Sequence, residues 1–451
     1  MSSSAAAEAV ANIEELLTQI LVSVPLRSVA RFMCVSKHWY SLISNLHTLK
    51  NPKMSAFFSS KTEAESFKSL PLGNPEIPSG WNPFTTFNDS FNDGSRLKII
   101  QSCNGLFLCI PESREHRDFV PRKQHDLVYV VNPTTNKFLA LSSPTARFRS
   151  FVRYALAFEP SKSPHYTLVC VTTHYRYSFV EGEGKYHKIH IYSSKSGKWK
   201  HVIDIPFFQS LYDRCCHPDL KKWHMDFDRR SREGSVYCNG AVHWIRERNA
   251  AELPFCCEAG KFFRQEADVL HYFDIGEERL RLVAATPPVP LVVENMPVED
   301  IGSDLKIPIE FPILVHRYFG ECGGRLYLID IYKHCHTQFD VMEMERDYSG
   351  WFVKYHVDLN PVVMALPQHD LNPFVILCLS REKEKDDDEF GDSSTILLLH
   401  MPGKVISYNL MNKNFKTSIE LANKNLYLAI EDTSFRDEVD NYPYMESLAC
   451  V

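Results

Sequence analysis

Residues 128–141 read VYVVNPTTNKFLAL: a run of β-branched and aromatic residues, a polar Asn-Pro-Thr-Thr-Asn break, and a second apolar run. Proline lacks the N–H a strand ladder needs and asparagine favours turn backbone, so the stretch predicts a β-hairpin. The plan recurs downstream in IHIYSSKSGKWKHV from 189, LHYFDIGEERLRLV from 270, FDVMEMERDYSGWFVKY from 339 and VISYNLMNKNFKTS from 405. Between these lie hairpins of a second kind, CNGLFLCI from 103, GSVYCNGAVHWI from 234 and GECGGRLYLIDI from 320, each running from glycine or asparagine into an alternating apolar strand. Two hairpins make four strands, and a repeated four-stranded unit is a propeller blade. The spacing exceeds the ~40–50 residues usual for a blade, which implies long loops. Five units are expected. MSAFFSS from 54, pairing with LYLAI from 426, would complete a sixth and leave no open sheet edge.

Upstream of about residue 54 the period changes from two to that of a helix. Ile13, Leu16, Leu17, Ile20, Leu21 and Val24 form an amphipathic stripe that Asn12 can cap and Pro25 ends. A second short helix follows through Leu26, Val29, Ala30 and Met33, started by that proline. Ser36 can cap a third, with Trp39, Leu42, Ile43 and Leu46 on one face. Three helices in so few residues bury little surface alone, so the module reads as one built to dock. The expected organisation is a flexible tail over 1–11, the helical module over 12–50, an all-β propeller-like domain over 51–435 and a tail over 436–451. Inserted loops are expected over 205–232 and, from its charges, over 381–394.

The 451 residues are 44% hydrophobic and 24% charged, which excludes a wholly disordered chain. A net charge of -6 argues against general attraction to nucleic acid or anionic lipid. The opening MSSSAAAEAVANIEELL has neither a basic nor an apolar signal region, and runs such as FVILCL at 374–379 fall far short of the ~20 residues of a membrane-spanning helix. Thirteen cysteines, many at apolar positions, fit reduced buried thiols and a cytoplasmic or nuclear setting.

Sites of chemistry are sparse. EGEGKYH from 181 is better read as a hairpin turn than a phosphate cradle. Cys215, Cys216, His217 and the His334–His336 cluster lack zinc spacing, so neither metal nor cofactor is expected. Asp274, Asp330 and Asp340 could form a glycosidase-like carboxylate set, but turn chemistry accounts for them more simply. Trp199, Trp244, Trp351 and Phe415 occupy comparable strand positions and suit packing between blades.

The stretch EELLTQILVSVPLRSVARFMCVSKHWYSLIS, residues 14–44, resembles the F-box. The β part, with CNGL at 103, NPTTNK at 132 and the closing YPYMESLACV, is similar to the F-box-associated, kelch-like C-terminal domain of plant F-box proteins. The resemblance implies a non-catalytic substrate receptor of a Skp–cullin–F-box ubiquitin ligase. It assigns adaptor contact to Leu16, Leu17, Ile20, Leu21, Pro25, Leu26, Val35 and Trp39, and target binding to the β domain. Where the family has Leu-Pro ahead of two acids, this chain has Asn12 and Ile13, a departure that bears on adaptor affinity. A DNA-reading helix module is disfavoured, since Arg27, Arg31, Lys37 and Lys50 are offset by Glu8, Glu14 and Glu15. A non-ligase scaffold and a glycan-acting propeller enzyme are the remaining alternatives. The target protein and the residues that touch it have no signal in the sequence.

Overall fold

The computed structural model describes residues 13–47, 54–60, 68–71, 84, 96–112, 127–144, 152–178, 182–207, 235–245, 270–282, 314–332, 337–365, 374–382, 394–401, 404–420, 440–449 and 451. Three helices open it: α1 (Glu14–Ser23), α2 (Leu26–Phe32) and α3 (Lys37–His47). The strands β1 (Met54–Ser60) and β2 (Lys68–Pro71) follow. Five four-stranded antiparallel sheets come next, each in sequence order, as the repeat predicts. Blade one is β3 (Arg96–Cys103), β4 (Leu106–Glu112), β5 (Leu127–Asn132) and β6 (Lys137–Ser142). Blade two is β7 (Val152–Ala157), β8 (Thr167–Ser178), β9 (Gly182–Ser193) and β10 (Lys198–Phe207). Blade three is β11 (Val236–Cys238), β12 (Ala241–Ile245), β13 (Leu270–Asp274) and β14 (Arg279–Leu282). Blade four is β15 (Leu314–Cys322), β16 (Arg325–Tyr332), β17 (Gln338–Met344) and β18 (Trp351–Asp358). After the short α4 (Asn360–Met364), blade five is β19 (Val375–Glu382), β20 (Ser394–Met401), β21 (Lys404–Asn409) and β22 (Phe415–Glu420), and β23 (Asp440–Met445) comes last.

The turns explain the repeat. Asn104-Gly105, Asn239-Gly240 and Gly323-Gly324 each place two successive residues at positive φ, the two-residue turn whose twist matches the flanking strands. The second hairpin of every blade carries one left-handed residue in its longer turn: Asn136, Gly197, Glu278, Tyr348 and Lys413. Burial grades outward. Strands β12 and β20 are buried on both faces, whereas β6 alternates exposed and half-buried, as befits an outer strand.

Several expectations are corrected. MSAFFSS does form β1, but it pairs with β23 and β2; LYLAI from 426 lies outside the described residues. The expected tail over 436–451 therefore contains a strand. Gly182 and Gly184 sit within β9 rather than in a turn. Trp244 lies on the buried β12, whereas Trp199, Trp351 and Phe415 begin or nearly begin the outer strands β10, β18 and β22, so the four are not equivalent. The first expected insertion begins inside β10, and the second, 381–394, overlaps the end of β19 and the first residue of β20.

The contacts divide the chain into two compact units, one of 1–242, 275–278 and 440–451, the other of 243–274 and 279–439. In the first unit, Phe58, Phe84, Phe107 and Tyr444 share a core in which Phe58 meets Phe107 and Tyr444 edge-on. In the second, Ile329, Val341, Ile376, Leu397 and Ile406 build a core from the inner strands of blades four and five.

Candidate functional site

The helical module is assembled from local rules. Glu14 and Glu15 occupy the first turn of α1, where acids complement the helix dipole; Ile13 is the N-cap and supplies no side-chain bond, while Asn12 is outside the described residues. Val24 ends the helix in extended backbone because a residue before proline is pushed out of the helical region. Pro25 stands one position ahead of the first helical residue of α2, its carbonyl accepting from the amides of Ser28 (2.9 Å) and Val29 (3.0 Å). Ser36 Oγ accepts from the Trp39 amide at 3.1 Å, the expected cap of α3.

The predicted docking residues separate into two groups. Leu17 and Leu21 are only 2% and 3% exposed and belong to the module's own core with Val29, Leu42 and Ile43. Their assignment to a docking surface is corrected: the three-helix core uses their whole side chains. Leu26 and Trp39 are partly buried against the same cluster, with Trp39 edge-on to Phe32 at 5.7 Å. Leu16 (40% exposed), Ile20 (43%), Val35 (60%) and the exposed Pro25 remain at the surface. Ile13 is also exposed, and the 13, 16, 20 spacing sets it in line with Leu16 and Ile20 along one side of α1. Val22 and Tyr40 are further exposed apolar residues. Helical periodicity already sets Ile13 on the stripe, though not among the docking residues.

Nothing comparable to a reaction centre emerges among the described residues. Asp330 is held by Arg317 through two bonds, Nε to Oδ1 at 2.6 Å and Nη2 to Oδ2 at 2.7 Å, and Asp340 pairs with His356 Nδ1 at 2.7 Å. Both lie within strands of blade four and have partners, so turn chemistry does not explain them; Asp274 does end its strand. Burial pushes the thiols of Cys109, Cys170 and Cys378 up, which keeps them protonated at neutral pH. No group of three metal-ligating side chains occurs among the described residues, and both cysteine-histidine clusters lie outside them. No described helix is long and apolar enough to cross a membrane.

An exposed apolar stripe on a small helical module, followed by repeated four-stranded sheets, agrees with two family matches: the F-box domain over residues 14–51 and the F-box associated beta propeller domain over 79–291. In order along the chain, the helical module is similar to the F-box and the sheets that follow it are similar to the F-box associated beta propeller. The propeller match ends mid-chain, so the domain follows the F-box rather than being C-terminal in the strict sense. Over its full length the chain is 28% identical to "F-box protein At5g07610" of Arabidopsis thaliana, covering 94% of that protein. It is 25% identical to "F-box protein At5g49610" of the same plant, over 51% of this chain and 57% of that one. A solved structure, the beta-propeller domain of the Trilobed protease from Pyrococcus furiosus, aligns with 72% of this chain and 84% of its own at 8% identity, with a TM-score of only 0.30.

Proposed function

We propose that this chain is the substrate-recognition subunit of a Skp–cullin–F-box ubiquitin ligase, its F-box docking on a Skp-family adaptor and its propeller holding the target protein. The observation that carries the reading is the stripe of Ile13, Leu16 and Ile20, three large apolar side chains on the F-box that the fold leaves in water. Such side chains gain most when a partner covers them, and apolar anchors dominate the energy of an interface. In this reading the chain makes and breaks no bond. It raises the effective concentration of a target lysine near a charged conjugating enzyme, the share of catalysis that positioning alone supplies. The free thiols fit the reducing cytoplasm or nucleus where such a ligase would work.

The test is co-expression of the full chain with a Skp-family adaptor, followed by co-purification and calorimetry. One-to-one binding that is lost when Leu16 and Ile20 are both changed to alanine supports the receptor reading. A folded chain that binds no adaptor at high micromolar concentration overturns it and favours a scaffold.

A further inference from the structure

Residues 440–449 lie far from the F-box in sequence but enter three separate cores within ten positions. Tyr442 and Tyr444 pack beneath β1 with Phe58 and Phe107. Leu448, 7% exposed, joins Leu17, Leu21, Val29, Leu42 and Ile43 inside the F-box. Ala449 is buried with Leu106, Leu108 and Val130 of blade one. One short segment thus belongs at once to the F-box and to the propeller's first blade.

The segment is pinned to the blade by buried bonds from blade-one side chains, most of them to its backbone. Asn132 Nδ2 donates to the carbonyl oxygens of both Ser447 (3.0 Å) and Ala449 (2.8 Å). The Ser447 amide donates to Thr134 Oγ1 (2.9 Å), which also bonds the Tyr444 hydroxyl (2.9 Å). Ser102 Oγ donates to the Pro443 carbonyl. Gly105, at φ +90°, runs so close beneath that a Cβ there would strike Ser447 and lie 2.7 Å from the Met445 carbonyl oxygen. On the helical side, Arg27 Nε of α2 lies 3.7 Å from Glu446 Oε1.

We propose that residues 440–449 are an integral part of the docking module, a clasp that completes the F-box core through Leu448 and makes the F-box competent only once the clasp is seated on blade one. Three short helices are marginal by themselves. Without Leu448 their shared core has a gap, and the docking-competent arrangement becomes a minor population. Apparent affinity falls in proportion to that population. Because the clasp is synthesised after every blade and seats on Asn132, Thr134 and Gly105, adaptor capture waits for the first blade to form. A chain stalled or misfolded in the propeller would present an incomplete F-box, which keeps it from occupying a ligase. This inference rests on the docking role proposed above, but its structural part is tested without any adaptor.

The experiment is native-state hydrogen exchange on the full chain carrying Leu448→Ala, Leu448→Asp or Leu448→Met, alongside calorimetry with a Skp-family adaptor. The expected result is faster exchange confined to α1, α2 and α3 in the alanine and aspartate variants, with blade one and blade two protected as before. Adaptor affinity falls at least about tenfold in Leu448→Ala, in step with the lost population, and Leu448→Met restores both readouts. Should Leu448→Asp fail to fold, the alanine variant decides alone. Wild-type protection of the F-box amides in Leu448→Ala overturns the clasp. Faster F-box exchange in a chain whose wild type binds no adaptor upholds the clasp and overturns the docking role instead.

Discussion

The side-chain nitrogen of Asn132 lies 2.8 Å from the carbonyl oxygen of Ala449, 317 residues further along the chain. The same side chain has its oxygen turned the other way, accepting from the amides of Thr134 (2.9 Å) and Thr135 (3.3 Å). One buried amide therefore builds the turn of a blade-one hairpin and anchors the distant segment. Asn132→Ala leaves two carbonyls and two turn amides without this partner, and each buried polar group so stranded costs on the order of 1–3 kcal/mol. The expected outcome is a marked drop in the denaturant midpoint of the full chain. Asn132→Asp should be at least as damaging, because a carboxylate brings a negative charge to two carbonyl oxygens. A midpoint unchanged in both variants would remove Asn132 from the account of stability.

Leu16 and Leu17 are neighbours of identical chemistry with opposite environments, and this separates surface from core in a binding experiment. Leu17→Ala opens a cavity in the F-box core and should cost about 2–5 kcal/mol of that module's stability. Leu16→Ala truncates a surface side chain outside that core and should leave the folded chain nearly as stable as before, within about 0.5 kcal/mol. Under the docking reading it still weakens adaptor binding, by roughly tenfold for a loss near 1.4 kcal/mol. Thermal unfolding for stability and calorimetry for adaptor affinity give the comparison. Equal adaptor affinity for Leu16→Ala and wild type would move the docking surface away from this face of α1.

The pair also marks how far the sequence could be read. Helix periodicity located the stripe, but Leu16 and Leu17 lie on adjoining rows, and only packing by α3 and Leu448 decides which row is buried. The five hairpins were legible because strand, turn and returning strand are adjacent in sequence. The partner of β1 was not. Apolar content pointed to LYLAI, whereas the actual strand, DNYPYM, carries a proline and polar residues. Proline is tolerated there because β23 is an edge strand in the order β2-β1-β23. Asp330 was likewise read as a turn residue, since nothing local announces that Arg317 faces it across β15 and β16. The target-binding residues had no local signal of any kind, because loops that read a ligand share little pattern.

That ion pair makes its own prediction. The Arg317 and Asp330 side chains are almost fully removed from water and meet in a two-bond fork. Removing one partner by Asp330→Ala leaves a buried guanidinium short of its partner, a loss typically of about 3–5 kcal/mol. Replacing both, Arg317→Met with Asp330→Leu, removes the desolvation cost along with the attraction and should recover most of that loss. Chemical denaturation of the single and double variants measures the difference. A single variant as stable as wild type would show that the pair contributes nothing despite its geometry.

Acid should destabilise the second compact unit through His400 of β20 and His316 of β15, both lowered from an ordinary 6.5 to about 4, mainly by burial. Asp330 pulls His316 partly back. A folded-state value below the unfolded one means that, between pH 6.5 and 4, the unfolded chain holds more protons than the folded one. Stability is thus intact above that window and falls as pH drops through it, by at most about 1.4 kcal/mol per pH unit for each histidine. His400 is the cleaner test, since among the described residues its Nε2 is buried with no hydrogen-bond partner. His400→Leu removes the orphaned polar atom and the titration together. The variant should match or exceed wild type at pH 7 and lose less stability by pH 5, read from denaturant midpoints at the two values. An acid slope identical to wild type would show that His400 is not the proton acceptor in the folded-to-unfolded transition.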